Sequence, residues 1–313
     1  LTKTTVRLIC GSCAVELMAE KFSERWSAPV ITTGFPASGP TLRELGERGD
    51  IIKRMHRALT ERGIERGSAN YVLAGESLDV PVIGRLVERG LDDELKGTAY
   101  AVVDGVDGRT HHIRLPHLDA AGDSAPGSIV ELRAFDDARG EHRVALAVRS
   151  DLDLQHQVNA SGATWLDRQS IAREPVAMSD GGFGAEVRDA LRQRAEHLVR
   201  EGLAEQQGGR VVFRRNLIDT LRRREVDAVA DRLAKETGQP FKPAGNGEYV
   251  AGTYRQRMTL ASGRFAMIDD GLGFQLVPWS PSLENQLGKH VSGVARGDGG
   301  VDWSFGRKRG LGL

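Results

Sequence analysis

Cysteine is almost absent: of 313 residues only Cys10 and Cys13 carry thiols, both in ICGSC. Apolar VRLI, a C-x-x-C turn and AVELMAEKF follow the strand, turn and helix order in which a helix N-terminus lowers a thiol pKa. No βαβ pattern follows, and no second Cys/His pair completes a zinc site, so a chance pair is the other reading of ICGSC. Long apolar runs are missing too. Nothing approaches the roughly 18 residues of a spanning helix, and the start lacks the basic, apolar and small-residue regions of a signal peptide. The expectation is a soluble, cytoplasmic chain without membrane insertion. Net charge is also missing: 43 Lys and Arg face 43 Asp and Glu, so attraction to nucleic acid must come from local clusters. Hydrophobic residues at 40% and charged residues at 27% exclude wholesale disorder and a fibrous class.

Two catalytic signatures are lacking as well. The histidines occupy positions 56, 111, 112, 117, 142, 156, 197 and 290, so no H-x-H pair exists. The Gly-Lys of LGKH lacks the Ser/Thr and the upstream glycine of a phosphate-cradling Walker A loop.

What is present divides into segments. Residues 1–40 end in the linker-like TTGFPASGP and carry no assignment. In 41–78, Asp50 is placed to N-cap a helix with Ile51, Ile52, Met55 and Leu59 at helical spacing. Residues 79–150 read as a β-rich module of short strands, with Asp104-Gly105 and Asp107-Gly108 as turn residues. Within it THHIRL sets two histidines side by side. Strand alternation sends His111 with Ile113 and Leu115 but His112 with Thr110 and Arg114, so the pair cannot easily grip one ion. A metal site would need His112, His117 and Asp119 brought together by the turn at Pro116.

Residues 151–240 read as a helical unit with a hairpin. Val187, Leu191, Ala195 and Leu198 form one stripe that Gly202 ends, Gly208-Gly209 turn a hairpin, and Asn216 N-caps a helix burying Leu217, Leu221, Val229 and Leu233. Residues 241–313 return to strands, as an SH3-like small β-barrel with a basic tail. The expected class is α+β, with small antiparallel barrel-like modules alternating with short helical units.

In this order, RGDIIKRMHRAL, GRLVERGLDDELKGTAYAVVDGVDGRTHHIRL, ASGATWLDRQ, YRQRMTLASGRFAMIDDGLGFQLVPW and GVDWSFGRKRGLGL resemble the C-terminal region of conjugative relaxases, the mobilization nucleases of the T-DNA-transfer type. The resemblance spans about 41 to 313, a region generally called a domain of unknown function. It implies a remnant or C-terminal piece of a relaxase, without the nuclease half that nicks plasmid DNA through a tyrosine and a histidine-held metal. None of Tyr71, Tyr100, Tyr249 and Tyr254 matches that nucleophile.

The leading expectation is therefore a non-catalytic module of conjugal DNA transfer that needs no cofactor. Its partners would be single-stranded DNA or the proteins that couple the strand to the secretion channel. Candidate DNA contacts are Arg214 and Arg215 at the hairpin exit, Arg222, Arg223 and Arg224 on the next helix, and Arg307, Lys308 and Arg309 beside Trp303. In the alternative, Glu225, Asp227 and Asp231 balance the helix arginines and Trp303 is buried. Two other readings stand beside it: a protein-docking scaffold that ignores DNA, and a metal-dependent hydrolase built on His111, His112 and His117.

Overall fold

The computed structural model describes residues 9–10, 13–14, 42–73, 81–136, 140, 142–297 and 299–305. The chain divides into two units, Leu1–Glu44 and Leu45–Leu313. In the first, β1 (Ile9–Cys10) and β2 (Cys13–Ala14) form a two-residue-per-strand hairpin with Cys10 opposite Cys13. Cys13 and Ala14 are thus in a strand, and the rest of the expected helix AVELMAEKF lies outside the described residues.

α1 (Leu42–Thr60) begins eight residues before Asp50, which lies inside it and meets Lys53 at 3.3 Å instead of capping its start. Met55, Ala58 and Leu59 form its buried stripe. They pack on Val87, Tyr100 and Val102, one face of a six-stranded sheet. That sheet comprises β3 (Tyr71–Leu73), β4 (Val82–Asp93), β5 (Thr98–Gly105), β6 (Thr110–Leu115), β7 (Ile129–Asp136) and β8 (His142–Ser150), in the order β3-β6-β5-β4-β7-β8. All neighbours are antiparallel except β3 and β6. Its other face buries Leu86, Ala101, Val103, Ile113, Leu115 and Leu132. Asp107 and Gly108, at φ 80°, make the β5–β6 turn. Asp104 does not turn the chain. It is fully buried, and Arg66 at 3.0 Å and Arg85 at 2.8 Å bind its carboxylate.

Three helices follow: α2 (Leu154–Val158), α3 (Trp165–Ile171) and α4 (Gly182–Arg200). Thr164 and Asp167 close a capping box at the start of α3. Val187 and Leu198 are buried as the spacing predicts, but the stripe also contains Arg194, which is wholly buried. Its Nε donates to Asp167 Oδ1 at 2.8 Å and its Nη2 to Oδ2 at 2.9 Å, and the carbonyl oxygens of Val158, Ala160 and Gly162 accept its remaining hydrogens. Every polar atom of the pair is thereby matched.

Gly202, at φ 68°, ends the α4 region, and β9 (Ala204–Gln207) turns through Gly208 and Gly209, both at positive φ, into β10 (Arg210–Phe213). α5 (Leu217–Thr237) starts after Asn216, which sits in the left-handed region at φ 58° and makes no side-chain cap. Leu217 and Leu221 pack on the hairpin and α4, while Val229, Ala230 and Leu233 pack on the second sheet.

The second sheet is antiparallel, ordered β13-β12-β11-β14-β15, from β11 (Tyr249–Leu260), β12 (Gly263–Asp269), β13 (Phe274–Pro278), β14 (His290–Ala295) and β15 (Val301–Trp303). The first half of β11 pairs with β14 and the second with β12, with a bulge between Tyr254 and Gln256. A 3-10 turn at Pro281–Gln286 links β13 to β14. The molecule is α+β, and among the described residues no helix is long and apolar enough to cross a membrane.

The β11–β12 turn docks against the helical unit. Glu225 of α5 accepts the Ala261 N–H at 2.8 Å and the Ser262 N–H at 2.9 Å, and Ser262 Oγ accepts the Ala163 N–H at 2.9 Å. A Cβ at Gly162 would overlap the Glu225 carboxylate, so only glycine fits beneath it. Two outcomes are expected in chemical denaturation. Asp167→Asn leaves Arg194 buried with its charge uncompensated and lowers unfolding free energy by about 3 to 5 kcal/mol. Gly162→Ala displaces Glu225 from two N–H groups and lowers it by about 1 to 3 kcal/mol. An unchanged midpoint in either variant excludes the corresponding contact.

Candidate nucleic-acid interface

The exit of β10 and the first half of α5 carry five closely spaced arginines. Arg214 and Arg215 leave β10 exposed, Arg223 and Arg224 are exposed on α5, and Arg222 is half-buried. None of the five makes an ion pair or side-chain hydrogen bond among the described residues. Glu225, expected to offset them, faces inward and is consumed by the main-chain N–H groups of Ala261 and Ser262. Asp227 and Asp231 stay exposed and form no ion pair there.

Trp303 behaves differently. It is half-buried in β15, opposite Gly293, and packs on the core of Val250, Val291 and Ala295. Its ring stacks on Phe305 at 6.5 Å and its Nε1 is buried without a partner among the described residues. A ring so placed is largely unavailable for stacking on bases. Arg307, Lys308 and Arg309 lie outside the described residues.

A cleft of about 980 Å³ lies between β8 and the β11–β12 turn. Arg89, Arg149, Arg168 and Arg264 line it together with Trp165, Trp279 and Asp151. Arg264 grips Asp151 through two bonds of 2.7 and 2.6 Å and Asp123 through one of 2.7 Å. Those carboxylates, Asp151 first, raise its pKa against the opposing effect of burial. Burial pushes the Asp123 carboxyl up, but Arg264 and Arg257 outweigh it and hold the group below its ordinary value. Arg149 is spent on Glu131 at 2.6 Å, and Arg89 donates to the carbonyl oxygens of Ser124, at 2.9 Å, and Gly122. Arg168 alone of the four donates only a 3.3 Å bond, to the Ser262 carbonyl oxygen. The sequence reading passed over Arg168 and Arg264. Their signal lay in the quoted ASGATWLDRQ and LASGRF stretches, where small residues and an aromatic surround a cation.

The histidines of THHIRL separate as strand alternation requires. His111 meets Asp107 at 3.0 Å in the β5–β6 turn, whereas His112 stacks on Tyr100 at 5.4 Å on the α1 face. Exposed His117 accepts the Ala120 N–H at 3.2 Å and caps the turn Leu118–Ala121. Among the described residues no group of three or more His, Cys, Asp or Glu is arranged to hold a metal ion.

Burial, reinforced by the Arg54 charge, lowers the His112 pKa from 6.5 to about 4. The folded state therefore resists a proton that the unfolded chain accepts near its ordinary value. Stability from this group is full above about pH 6.5 and declines as pH falls toward about 4, by about 3 kcal/mol across the window. Burial lowers the His197 pKa in the same direction, so the difference from wild type is the readout. His112→Phe keeps the stacking and is expected to flatten this acid limb in urea unfolding at pH 7, 6 and 5. Parallel curves for the two proteins contradict the assignment.

The comparisons with known proteins add lineage. Residues 35–139 and 132–312 match the model of a family described as "Protein of unknown function (DUF3363)". Neither a curated protein nor a solved structure matches the chain.

Proposed function

Because the chain belongs to the DUF3363 family, whose description assigns no role, we propose its function from its own surface: a non-catalytic module that holds single-stranded DNA on the face formed by the β9–β10 hairpin exit and α5. One observation carries this reading, the five arginines that have no anionic partner among the described residues. Uncompensated guanidiniums are what a phosphate backbone neutralises, with release of its condensed counterions. The ordered motifs from RGDIIKRMHRAL to WSFGRKRGLGL support the conjugative setting, in which a relaxase-like protein passes a strand to coupling proteins of the secretion channel. By sequence alone, Arg307, Lys308 and Arg309 add further positive charge. The separation of His111, His112 and His117 into three surroundings favours binding over hydrolysis.

Fluorescence anisotropy with a labelled oligothymidylate tests the reading. Replacing Arg214, Arg215, Arg223 and Arg224 together with glutamine should flatten the log affinity against log salt slope by roughly 0.7 per lost contact, so about 2 to 3 in all. If the wild-type chain shows no salt-dependent affinity, a scaffold that docks proteins replaces this proposal. A covalent protein–DNA band on a denaturing gel, with magnesium or manganese present, would overturn its non-catalytic part.

A further inference from the structure

Each of the two large sheets ends in a pair of edge strands, and most of these edges are short or covered. β3 and β15 are three residues long. β13 is covered by the chain before β11, where the Phe274 N–H donates to the Pro240 carbonyl oxygen at 3.0 Å and the Lys242 N–H to that of Phe274 at 2.8 Å. β8 is the exception. It runs for nine residues and pairs with β7 alone, and its Leu146–Ser150 stretch lines the cleft of about 980 Å³. Long bare edges recruit other strands, which is why proteins ordinarily shorten, cover or charge them.

The order of the ladder shows which groups of β8 stay open. The Val106 N–H donates to the Ile83 carbonyl oxygen and the Leu86 N–H to that of Ser128, both at 2.9 Å, so Ile83 turns to β5 while Leu86 and Gly84 turn to β7. Val130 and Leu132 therefore bond β4, whereas Glu131 and Arg133 bond β8 through their partners Ala147 and Ala145. Leu146 and Val148 are left with N–H and C=O groups turned away from β7, toward the cleft they line. Neither finds a backbone partner there among the described residues. The charges around them are unbalanced. Arg149 meets Glu131, Arg264 meets Asp123 and Asp151, and Glu284 meets Arg257, but Arg89 and Arg168 donate only to carbonyl oxygens. Against these two cations stands one lining carboxylate without an ion pair among the described residues, Asp119 on the rim.

We propose that β8 is a docking edge, on which an extended peptide with acidic side chains lies in the cleft as an added strand of the first sheet. Its backbone completes the ladder at Leu146 and Val148, and one of its carboxylates meets Arg168. Beside Leu146–Ser150 there is length for about five residues, roughly 16 Å of strand. A nucleic-acid strand would use the arginines but has no N–H and C=O ladder to offer the edge. The β8 edge of a second copy brings its own sheet with it, and the β11–β12 turn and Trp279 on the facing wall leave room for a single segment instead. The inference is independent of the DNA-holding reading, which concerns the hairpin exit and α5.

Fluorescence anisotropy of the full chain with a labelled, end-capped peptide Thr-Glu-Val-Glu-Val-Thr tests the docking edge. Wild type should bind it, and the same peptide with every backbone amide N-methylated should bind at least about ten-fold more weakly. Val148→Pro removes an outward N–H and no bond to β7, and should weaken binding to a similar degree. Arg168→Gln should weaken binding of this peptide at least about five-fold but leave a version with Gln in place of Glu unchanged. If Val148→Pro does not fold, the N-methylated peptide on wild type decides the same question. A wild type that ignores the acidic peptide at millimolar concentration, or that binds it regardless of N-methylation, overturns the docking edge. Equal affinity for the Glu and Gln peptides overturns the acidic preference. Displacement of the peptide by an oligothymidylate assigns the cleft to DNA and overturns the peptide as occupant, as does a wild-type dimer that protects the Leu146 and Val148 amides from hydrogen exchange. A chain that binds the peptide but no oligonucleotide removes the DNA-holding reading alone.

Discussion

The buried pair of Asp167 and Arg194 is the contact on which the rest of the helical unit depends. It fastens α3 to α4 and draws the carbonyl oxygens of Val158, Ala160 and Gly162 around one guanidinium. Desolvation offsets much of the attraction in such a pair, so its value lies in specificity. The path of the chain from α2 to α3 satisfies all five N–H groups, and it places Gly162 against the Glu225 carboxylate. Glu225 in turn fixes the Ala261–Ser262 turn. A single buried cation therefore helps set the position of the second sheet against the helices.

Charge also fixes the two sheets to one another. Arg264 from β12 binds Asp151 and Asp123 next to the first sheet, and Arg257 from β11 reaches Asp123 at 2.7 Å. Their guanidiniums cover Trp279 from within the same cluster. The walls of the cleft are thus held by paired ions, and the unpaired Arg168 stands out against them.

Local chemistry was legible in the sequence, and distant partners were not. The alternation in THHIRL, the hairpin at Gly208-Gly209, the stop at Gly202 and the inward face of Leu217, Leu221, Val229 and Leu233 all arise within one strand or a few turns. Arg194 was hidden because its partner lies 27 residues away and an arginine in a helical stripe reads as a surface residue. Asp104 looked like a turn residue because Asp-Gly favours turns, but Arg66, 38 residues away, claims it. Glu225 misled for the same reason: counting charges along α5 balances the arginines, while the fold spends that carboxylate on backbone amides. The parallel pairing of β3 with β6 leaves no local trace at all. The basic residues of α5 were found by composition, and that they stand unpaired came only from tertiary structure.

The inward commitment of Glu225 reaches beyond stability. With its carboxylate held by the Ala261 and Ser262 N–H groups, Glu225 is unavailable to pair with the arginines of its own helix, so the way α5 docks on the second sheet also sets which charges that helix shows to solvent.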